Sequence, residues 1–312
     1  MTITSTEITS DEQWKELRNP NIGASEIGTL FGAHPNLTPY RLSALKLGLL
    51  EPEPDNPMMR RGRLLEPVAL KLLAEERPDW EVWNPRAYFC DDEARLGATP
   101  DCFVRDPQGR LGTVQIKSVE PNVFNKKWKD EDDNIVVPEW IRLQCALEQF
   151  LCGAEFAYVA VLVVGHGIEL HLIEVTTDHE TIVRIYDRAA VFWEIVNDGR
   201  TLDPDFDRDA ATLAAVHRKD NGKELDMSDD NWLPTIASRL QTANETKAAA
   251  EELASHCRAQ ILHLIGDAQK VKFAGGTISA PTVKRKEHTV KAGSFRTVTV
   301  RMARNGGGEM LT

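Results

Sequence analysis

The sequence predicts a mixed α/β fold, of the α+β kind, in which a central mixed β-sheet is flanked by helices. Leu65, Leu72 and Leu73 lie on an apolar stripe with helical spacing. Short apolar or alternating runs typical of strands follow between residues 80 and 119. From residue 139 to 197 the pattern then runs helix, strand, strand, helix, an order that packs helices against a sheet.

The first part of the chain is predicted to be mainly helical. Ser10 to Gln13 has the cap-x-x-Gln form of a capping box, which predicts a short helix carrying Trp14 and Arg18. Thr38-Pro39 predicts a helix with proline at its first position. The expected helices begin at about Ser10, near Ser25 and at Thr38, and the longest runs from about Met58 to Glu76.

Strands dominate the middle of the chain. Asp106-Pro107-Gln108-Gly109 fits a type I turn between two strand-like runs, which predicts an antiparallel pair. The expected strands are 80–90, 96–104, 111–119, 157–164 and 168–175, and the expected helices are 139–152 and 178–197. These strands are predicted to form the sheet, and the two helices to cover it.

Composition divides the chain into three parts. Residues 1–200 are predicted to form the main domain, because a chain of 312 residues is long enough to bury a real core. Residues 201–230 are rich in Asp, Asn and Gly and are predicted to be a linker with one short helix. Residues 231–312 are predicted to hold a long helix over 234–268, then short basic strands with turns at Gly275-Gly276 and Gly293.

Charge is unevenly distributed along the chain. The formal net charge is −11, which by itself disfavours nucleic-acid binding, because phosphate contacts need lysine and arginine. The segment 270–304 nevertheless has nine basic residues and one acid, a balance of +8 that leaves −19 for the remainder. Smaller basic clusters lie at Arg60-Arg61-x-Arg63 and Lys126-Lys127-x-Lys129. Each fits either a solvated surface or a local basic groove.

Location is predicted from cysteine usage and hydropathy. The five cysteines form no C-x-x-C pair, and their odd number disfavours a disulfide framework or a cysteine-rich zinc site. The longest apolar run, 156–164, is about half of the roughly 20 residues that a membrane-spanning helix needs. The amino terminus has no signal-peptide pattern. We therefore expect a cytoplasmic protein without a membrane partner.

Thr99-Pro100-Asp101 and Gln115-Ile116-Lys117 carry the strongest chemical signal. If the two segments are adjacent strands, Asp101, Gln115 and Lys117 project from one sheet face, because residues two apart share a face. A carboxylate, an amide oxygen and an ammonium suit metal-assisted phosphodiester hydrolysis, in which oxygen ligands hold Mg²⁺. The backbone carbonyl of Ile116 is a further candidate ligand.

Glu66 joins this set, because it is an acid on a largely apolar stretch of the preceding helix. An ordinary surface or ion-paired glutamate is the alternative interpretation. A Pro-Asp followed by x-x-Lys also occurs often by chance. The presence of Glu66 is therefore the main reason to interpret the two segments as a catalytic site.

Five blocks of the sequence resemble the YqaJ-type viral recombinase group, relatives of phage lambda exonuclease within the PD-(D/E)xK nuclease superfamily. Their order and spacing agree with the family over about Trp14 to Val175. The blocks are Trp14 and Arg18 with Ile22-Gly23-Ala24-Ser25-Glu26-Ile27, Gly62-x-x-x-Glu66-Pro67, Ala98-Thr99-Pro100-Asp101, Gln115-Ile116-Lys117, and Leu143-Gln144. Five coordinated blocks are far more specific than any single one.

The resemblance implies a restriction-endonuclease-like nuclease core and a role for each matching residue. Lys117 would be the catalytic lysine, and Gln144 would belong to the helix that faces the active site. The groups that would surround Mg²⁺ or Mn²⁺ are Glu66, Asp101, Gln115 and the carbonyl of Ile116.

Arg18, Ser25 and Thr99 match positions that hold the 5′ phosphate of the substrate strand in the lambda-like enzymes. Guanidinium and hydroxyl groups suit this role, because both donate hydrogen bonds to phosphate oxygens. Other interpretations stay open at this stage: Ser25 as a helix cap, Arg18 as a helix-end charge, and Thr99 as an ordinary β-branched strand residue.

Gln115 departs from the family, which usually has glutamate there. The site loses a formal charge while keeping an oxygen, so metal affinity can fall and one or both ion sites can weaken. A second glutamine, often found two residues after the first in relatives, is Ala146 here.

The residues and the resemblance together predict a Mg²⁺-dependent exonuclease that degrades one strand of linear double-stranded DNA, 5′ to 3′, to give single strands for annealing recombination. The resemblance also implies a single-strand annealing protein as partner, a homo-oligomer such as a ring, and a phage or prophage origin. Two alternatives remain: a structure- or end-specific endonuclease of the same fold, and a DNA-binding module in which Gln115 marks a lapsed site.

Overall fold

The computed structural model describes residues 2–284, 298 and 300, which divide into two compact units. The first unit extends to Val216 and the second begins at His217. A short helix, Ala210–Val216, lies in the segment predicted to be a linker. Asp209, just before it, is buried and accepts a hydrogen bond from the Thr38 hydroxyl. This contact ties the start of that segment to the first unit.

Four helices of the first unit begin where a polar side chain caps them. Ser10, Thr38, Asn56 and Asp178 each accept a backbone N–H from the first turn that follows. The helices are α1 (Asp11–Arg18), α2 (Ala24–Ile27), α3 (Pro39–Lys46), α4 (Pro57–Glu76), α5 (Pro121–Lys127), α6 (Glu139–Leu151), α7 (His179–Asn197) and α8 (Ala210–Val216). The sequence did not predict α5.

Two sheets lie within the first unit. Their strands are β1 (Ile3–Glu7), β2 (Ile22–Gly23), β3 (Glu81–Trp83), β4 (Ala87–Asp91), β5 (Leu96–Ala98), β6 (Cys102–Arg105), β7 (Leu111–Val119), β8 (Phe156–Val164) and β9 (Ile168–Val175). One sheet has the order β3-β6-β7-β8-β9 and the other β1-β4-β5-β2. Because β7 is antiparallel to β6 and parallel to β8, the sheet is mixed. The predicted fold class is confirmed.

The predicted strands 80–90 and 96–104 were wrong as single strands. Each is split, and its two halves belong to different sheets. Pro85 and Pro100 lie at the two breaks, and proline has no N–H to continue a ladder. Arg86 also has a φ of 45°, which strand geometry does not allow. As a result Asp101 lies at the crossing between the sheets, immediately before β6.

The five-stranded sheet is covered on both faces. Val159 and Val161 of β8 pack in one buried cluster with Ile141 of α6. Ala160, which points to the other face, packs in a second cluster that includes Leu73 of α4. Gln115 and Lys117 are paired in register with Val159 and Val161, so both lie on the face covered by α6.

The described part of the second unit contains a long helix and a hairpin. Helix α9 (Leu233–Ile265) has no buried residue, and β10 (Lys270–Phe273) pairs antiparallel with β11 (Gly276–Ser279). Gly275, at the predicted turn, has a φ of 108°, which favours glycine. Gly293 lies outside the described residues, as do all the basic residues of segment 270–304 that follow Lys284.

All five cysteines are free thiols, and Cys90, Cys102 and Cys145 are buried. Within the part of the chain that the structure describes, no helix has the length and apolar character needed to cross a membrane.

Candidate active site

Asp101 and Gln115 meet at the end of the β6–β7 pairing. Cys102 is paired with Val114, so the preceding Asp101 lies beside Gln115. The Gln115 amide Nε2 donates a hydrogen bond to Asp101 Oδ2, and the backbone N–H of Ile116 donates to the same oxygen over 2.8 Å. The backbone of β7 therefore fixes the Asp101 carboxylate in place.

Helix α6 adds Gln144 to this pair. Lys117 Nζ donates to Gln144 Oε1 over 3.0 Å, and Gln144 Nε2 donates to Gln115 Oε1 over 2.8 Å. The structure thus brings together Asp101, Gln115, Lys117 and Gln144, which we call the amide chain. Gln115 and Gln144 are each only 4% exposed.

Glu66 approaches Asp101 from α4. Asn84 Nδ2 donates to Glu66 Oε1 over 3.3 Å and to the Asp101 backbone carbonyl over 3.0 Å, so one amide links the two acids. Burial, and then the charge of Asp101, raises the pKa of Glu66 to about 7. Burial also raises the pKa of Asp101, while Lys117, the Ile116 N–H and Gln115 lower it.

The two neighbouring acids repel each other when both are ionised, and a divalent cation between them would remove this repulsion. A cation beside Asp101 and Glu66 would offset both the burial of charge and the repulsion that raises the pKa of Glu66. The Ile116 carbonyl lies at the same place, since Gln115 Nε2 is 3.4 Å from it. Within residues 2–284, 298 and 300, no three His, Cys, Asp or Glu side chains converge as a metal-binding group. The fitting donors are therefore two carboxylates and a backbone carbonyl.

Gln115 is placed differently from the expectation. Its side-chain oxygen faces Gln144, and its amide nitrogen faces Asp101. A nitrogen carrying two hydrogens cannot ligate a cation. In this arrangement Gln115 orients the Asp101 carboxylate, and the expected oxygen ligand is turned away.

Arg18, Ser25 and Thr99 also come together, through Trp14. Arg18 Nη2 donates to Ser25 Oγ over 3.2 Å, and the guanidinium lies 4.5 Å from the centre of the Trp14 ring. Trp14 Nε1 donates to Thr99 Oγ1 over 3.1 Å. We call these four residues the arginine cluster. It lies next to the acids, because Thr99 is two residues before Asp101.

Two details shape the arginine cluster. Ser25 is not a helix cap, since the residue that caps α2 is Gly23. A Cβ at Gly23 would lie 3.1 Å from Arg18 Nη2, so glycine allows the guanidinium to approach the start of α2. Lys46 adds a second cation with a side chain only 8% exposed, paired with Glu26 over 3.3 Å.

Several residues of the site were missed by sequence reasoning. Trp140 lies with its ring 5.2 Å from Lys117 Nζ and 5.2 Å from the ring of His34. Burial and the charge of Lys117 lower the pKa of His34 to about 4, so this imidazole is neutral at neutral pH. A lone histidine and a lone tryptophan carry no spacing signal. Glu148 was the one detectable omission, because it lies one helical turn after Gln144.

The comparisons with known proteins agree with the sequence resemblance. The sequence family described as the YqaJ-like viral recombinase domain matches residues 13–155. No curated protein matches the chain.

Solved structures give weaker similarity. An alkaline exonuclease from Laribacter hongkongensis, LHK-Exo, is 19% identical with a TM-score of 0.43, over 65% of this chain and 100% of that one. Its complex with dAMP is 21% identical with a TM-score of 0.44, over the same shares. The KSHV SOX RNA complex is 11% identical with a TM-score of 0.39, over 65% of this chain and 74% of that one.

Proposed function

We propose that the protein is a divalent-metal-dependent DNA exonuclease, and the match of residues 13–155 to the YqaJ-like viral recombinase domain supports this proposal. It degrades one strand of linear double-stranded DNA from 5′ to 3′ and leaves the other strand single. The observation that carries the proposal is the position of Asp101, which interacts electrostatically with both Glu66 and Lys117, while Gln144 holds Lys117.

Each group has a definite task in this reaction. Glu66, Asp101 and the Ile116 carbonyl would hold Mg²⁺ or Mn²⁺. When bound, the ion supplies Lewis-acid chemistry, which activates water and stabilises the departing oxygen. Lys117 directs its ammonium at the scissile phosphate, where it offsets negative charge and positions the attacking water. Gln144 accepts a hydrogen bond from Lys117 and so fixes the position of the ammonium.

The arginine cluster supports the 5′ to 3′ direction. A terminal 5′ phosphate bound by Arg18, Ser25 and Thr99 lies beside Asp101, because Thr99 and Asp101 are two residues apart. The first phosphodiester bond then reaches the acids. A strand that starts with a 3′ hydroxyl offers no matching anion to this cluster.

The test uses linear duplex DNA labelled separately at each end, with Mg²⁺ or Mn²⁺, beside a covalently closed circle. We expect early loss of the 5′ label, intact circles, and no cutting by Lys117→Ala although its affinity for duplex DNA is kept. Lys71→Ala is the matched control, since Lys71 is exposed and paired with Glu75. It should cut like the unaltered protein.

Two other outcomes contradict the proposal. Cut circles indicate an endonuclease of the same fold. Tight DNA binding without cutting by the unaltered protein indicates a binding module, consistent with the neutral Gln115.

The family also supports an assembly. We propose that the protein forms a homo-oligomer, such as a ring, and acts with a single-strand annealing protein. Sedimentation velocity of the purified full-length chain tests the first part, and a monomer with unchanged processivity excludes the ring. Titrating a labelled annealing protein into the nuclease tests the second part.

A further inference from the structure

Glu148 is the buried acid for which the proposed reaction has no use. It lies on α6, is 1% exposed, and its Oε1 accepts a hydrogen bond from Gln144 Nε2 over 2.8 Å. Its other oxygen, Oε2, is buried without a hydrogen-bond partner in the described part of the chain. A buried carboxylate is costly unless its contacts matter, so the contact with Gln144 needs an explanation.

The donor and acceptor chemistry of Lys117 determines which way each amide of the amide chain is turned. Lys117 can only donate, so it must meet the oxygen of Gln144 and not its nitrogen. Gln144 then has two N–H groups left. One donates to Gln115 Oε1 and the other to Glu148 Oε1.

The orientation of Gln144 in turn determines which atom of Gln115 faces Asp101. Because the oxygen of Gln115 is occupied by Gln144, its nitrogen is turned toward Asp101 Oδ2. A single turned amide would place nitrogen against nitrogen or oxygen against oxygen at the next contact. The orientation of every group from Lys117 to Asp101 is therefore set as one unit.

Glu148 stabilises this direction from the far end. Without an acceptor at position 148, one N–H of the buried Gln144 would lose its partner, at a cost typical of an unsatisfied buried donor. The Gln144 amide would then have less reason to keep its oxygen on Lys117. We propose that Glu148 is a positioning residue, which acts through Gln144 to hold Lys117 and, through Gln115, Asp101. This inference rests on the proposed nuclease function.

The experiment compares two substitutions of similar length. Glu148→Met removes the acceptor, and Glu148→Gln cannot ionise but keeps an oxygen for Gln144. We expect Glu148→Met to lower kcat by about 10- to 100-fold, as for other groups that orient catalytic ligands. KM for DNA should stay unchanged, because Glu148 is buried and is not among the residues proposed to bind DNA. Glu148→Gln should keep most of kcat.

Leu147→Met is the matched control for disturbance of the core. Leu147 is the fully buried neighbour of Glu148 on α6, and it packs in a hydrophobic cluster with Ile185 and Phe192 of α7. We expect this variant to lower the melting temperature without the selective loss of kcat. Equal kcat for Glu148→Met and the unaltered protein overturns the inference, as does an equal loss in Glu148→Gln.

A second measurement works on the protein without metal or DNA. Side-chain amide hydrogens of Gln144, observed by NMR after glutamine labelling, should exchange slowly in the unaltered protein and faster in Glu148→Met. Unchanged exchange overturns the inference even if Glu148→Met is inactive. If the unaltered protein cuts no DNA but the exchange difference is found, the proposed function fails while the positioning contact stands.

Discussion

The amide chain and the arginine cluster lie side by side but are built in opposite ways. In the amide chain, neutral amides link Lys117 to Asp101, and both amides are buried. In the arginine cluster, Arg18 is half-buried and one of its N–H groups reaches Ser25. The first region is completed by a buried acceptor of the protein itself, Glu148, whereas the second presents donors that an anion would complete. Substitutions in the first should therefore change kcat, and those in the second KM and the choice of DNA end.

In this comparison, the largest change in kcat/KM is expected when the arginine cluster is disrupted. Arg18→Ala should lower kcat/KM for duplex DNA with a 5′ phosphate by about 10- to 100-fold, which is the size of one or two hydrogen bonds to a charged group. Duplex DNA with a 5′ hydroxyl should be cut by both proteins at the same low rate. Steady-state kinetics on the two substrates measures the difference.

Arg200→Ala is the control, because Arg200 is exposed and paired with Asp198. Its kinetics should match those of the unaltered protein. If Arg18→Ala lowered the rates on both substrates equally, Arg18 would bind DNA without reading the terminal phosphate.

The amide chain was only partly predictable from sequence. The two-residue spacing of Gln115 and Lys117 predicted a shared face, and the register with β8 places both under α6. Gln144 came from the family resemblance. The contact of Glu148 with Gln144 follows one helical turn along α6, but only the packing of α6 on β7 shows that this turn is buried.

The direction of the amides could not be predicted at all. The sequence names an amide at position 115 but not which atom faces Asp101. That choice depends on Lys117, Gln144 and Glu148 meeting in space. The split strands were more accessible, because Pro85 and Pro100 were visible in the sequence, yet the apolar runs around them hid the change of sheet.

The next largest effect is expected on Mg²⁺ affinity, when a substitution introduces an acid into the amide chain. Gln115→Glu keeps an oxygen for Gln144 and turns a second carboxylate oxygen toward Asp101. We expect Mg²⁺ affinity to rise about tenfold, because affinity increases with the number of charged ligands. Without metal, the new repulsion with Asp101 should lower the melting temperature. Calorimetry and thermal unfolding with and without Mg²⁺ measure both effects.

Gln108→Glu makes the same charge change at an exposed turn and is the control. It should bind Mg²⁺ like the unaltered protein. Equal affinity in Gln115→Glu would mean that position 115 does not face the ion.

The smallest expected effect is on the pH dependence of stability. It should depend on the buried acids and not on the arginine cluster. Burial, then the charge of Asp101, raises the pKa of Glu148 from its ordinary value of 4.5 to about 8, and that of Glu66 to about 7. Folded protein thus keeps protons that unfolded protein has lost. The stabilisation is complete below about pH 4.5 and is lost as the pH rises through 7 and 8.

We therefore expect the melting temperature of the metal-free protein to fall between about pH 5 and pH 8, which is the interval between the unfolded and folded pKa values of the two acids. Glu148→Gln cannot ionise at this position, so its melting temperature should fall less over the same interval. Arg18→Ala should follow the unaltered protein, because it leaves both acids in place. A slope that Glu148→Gln does not change would show that Glu148 is already ionised near pH 5 in the folded protein, and that the hydrogen bond from Gln144 stabilises its buried charge.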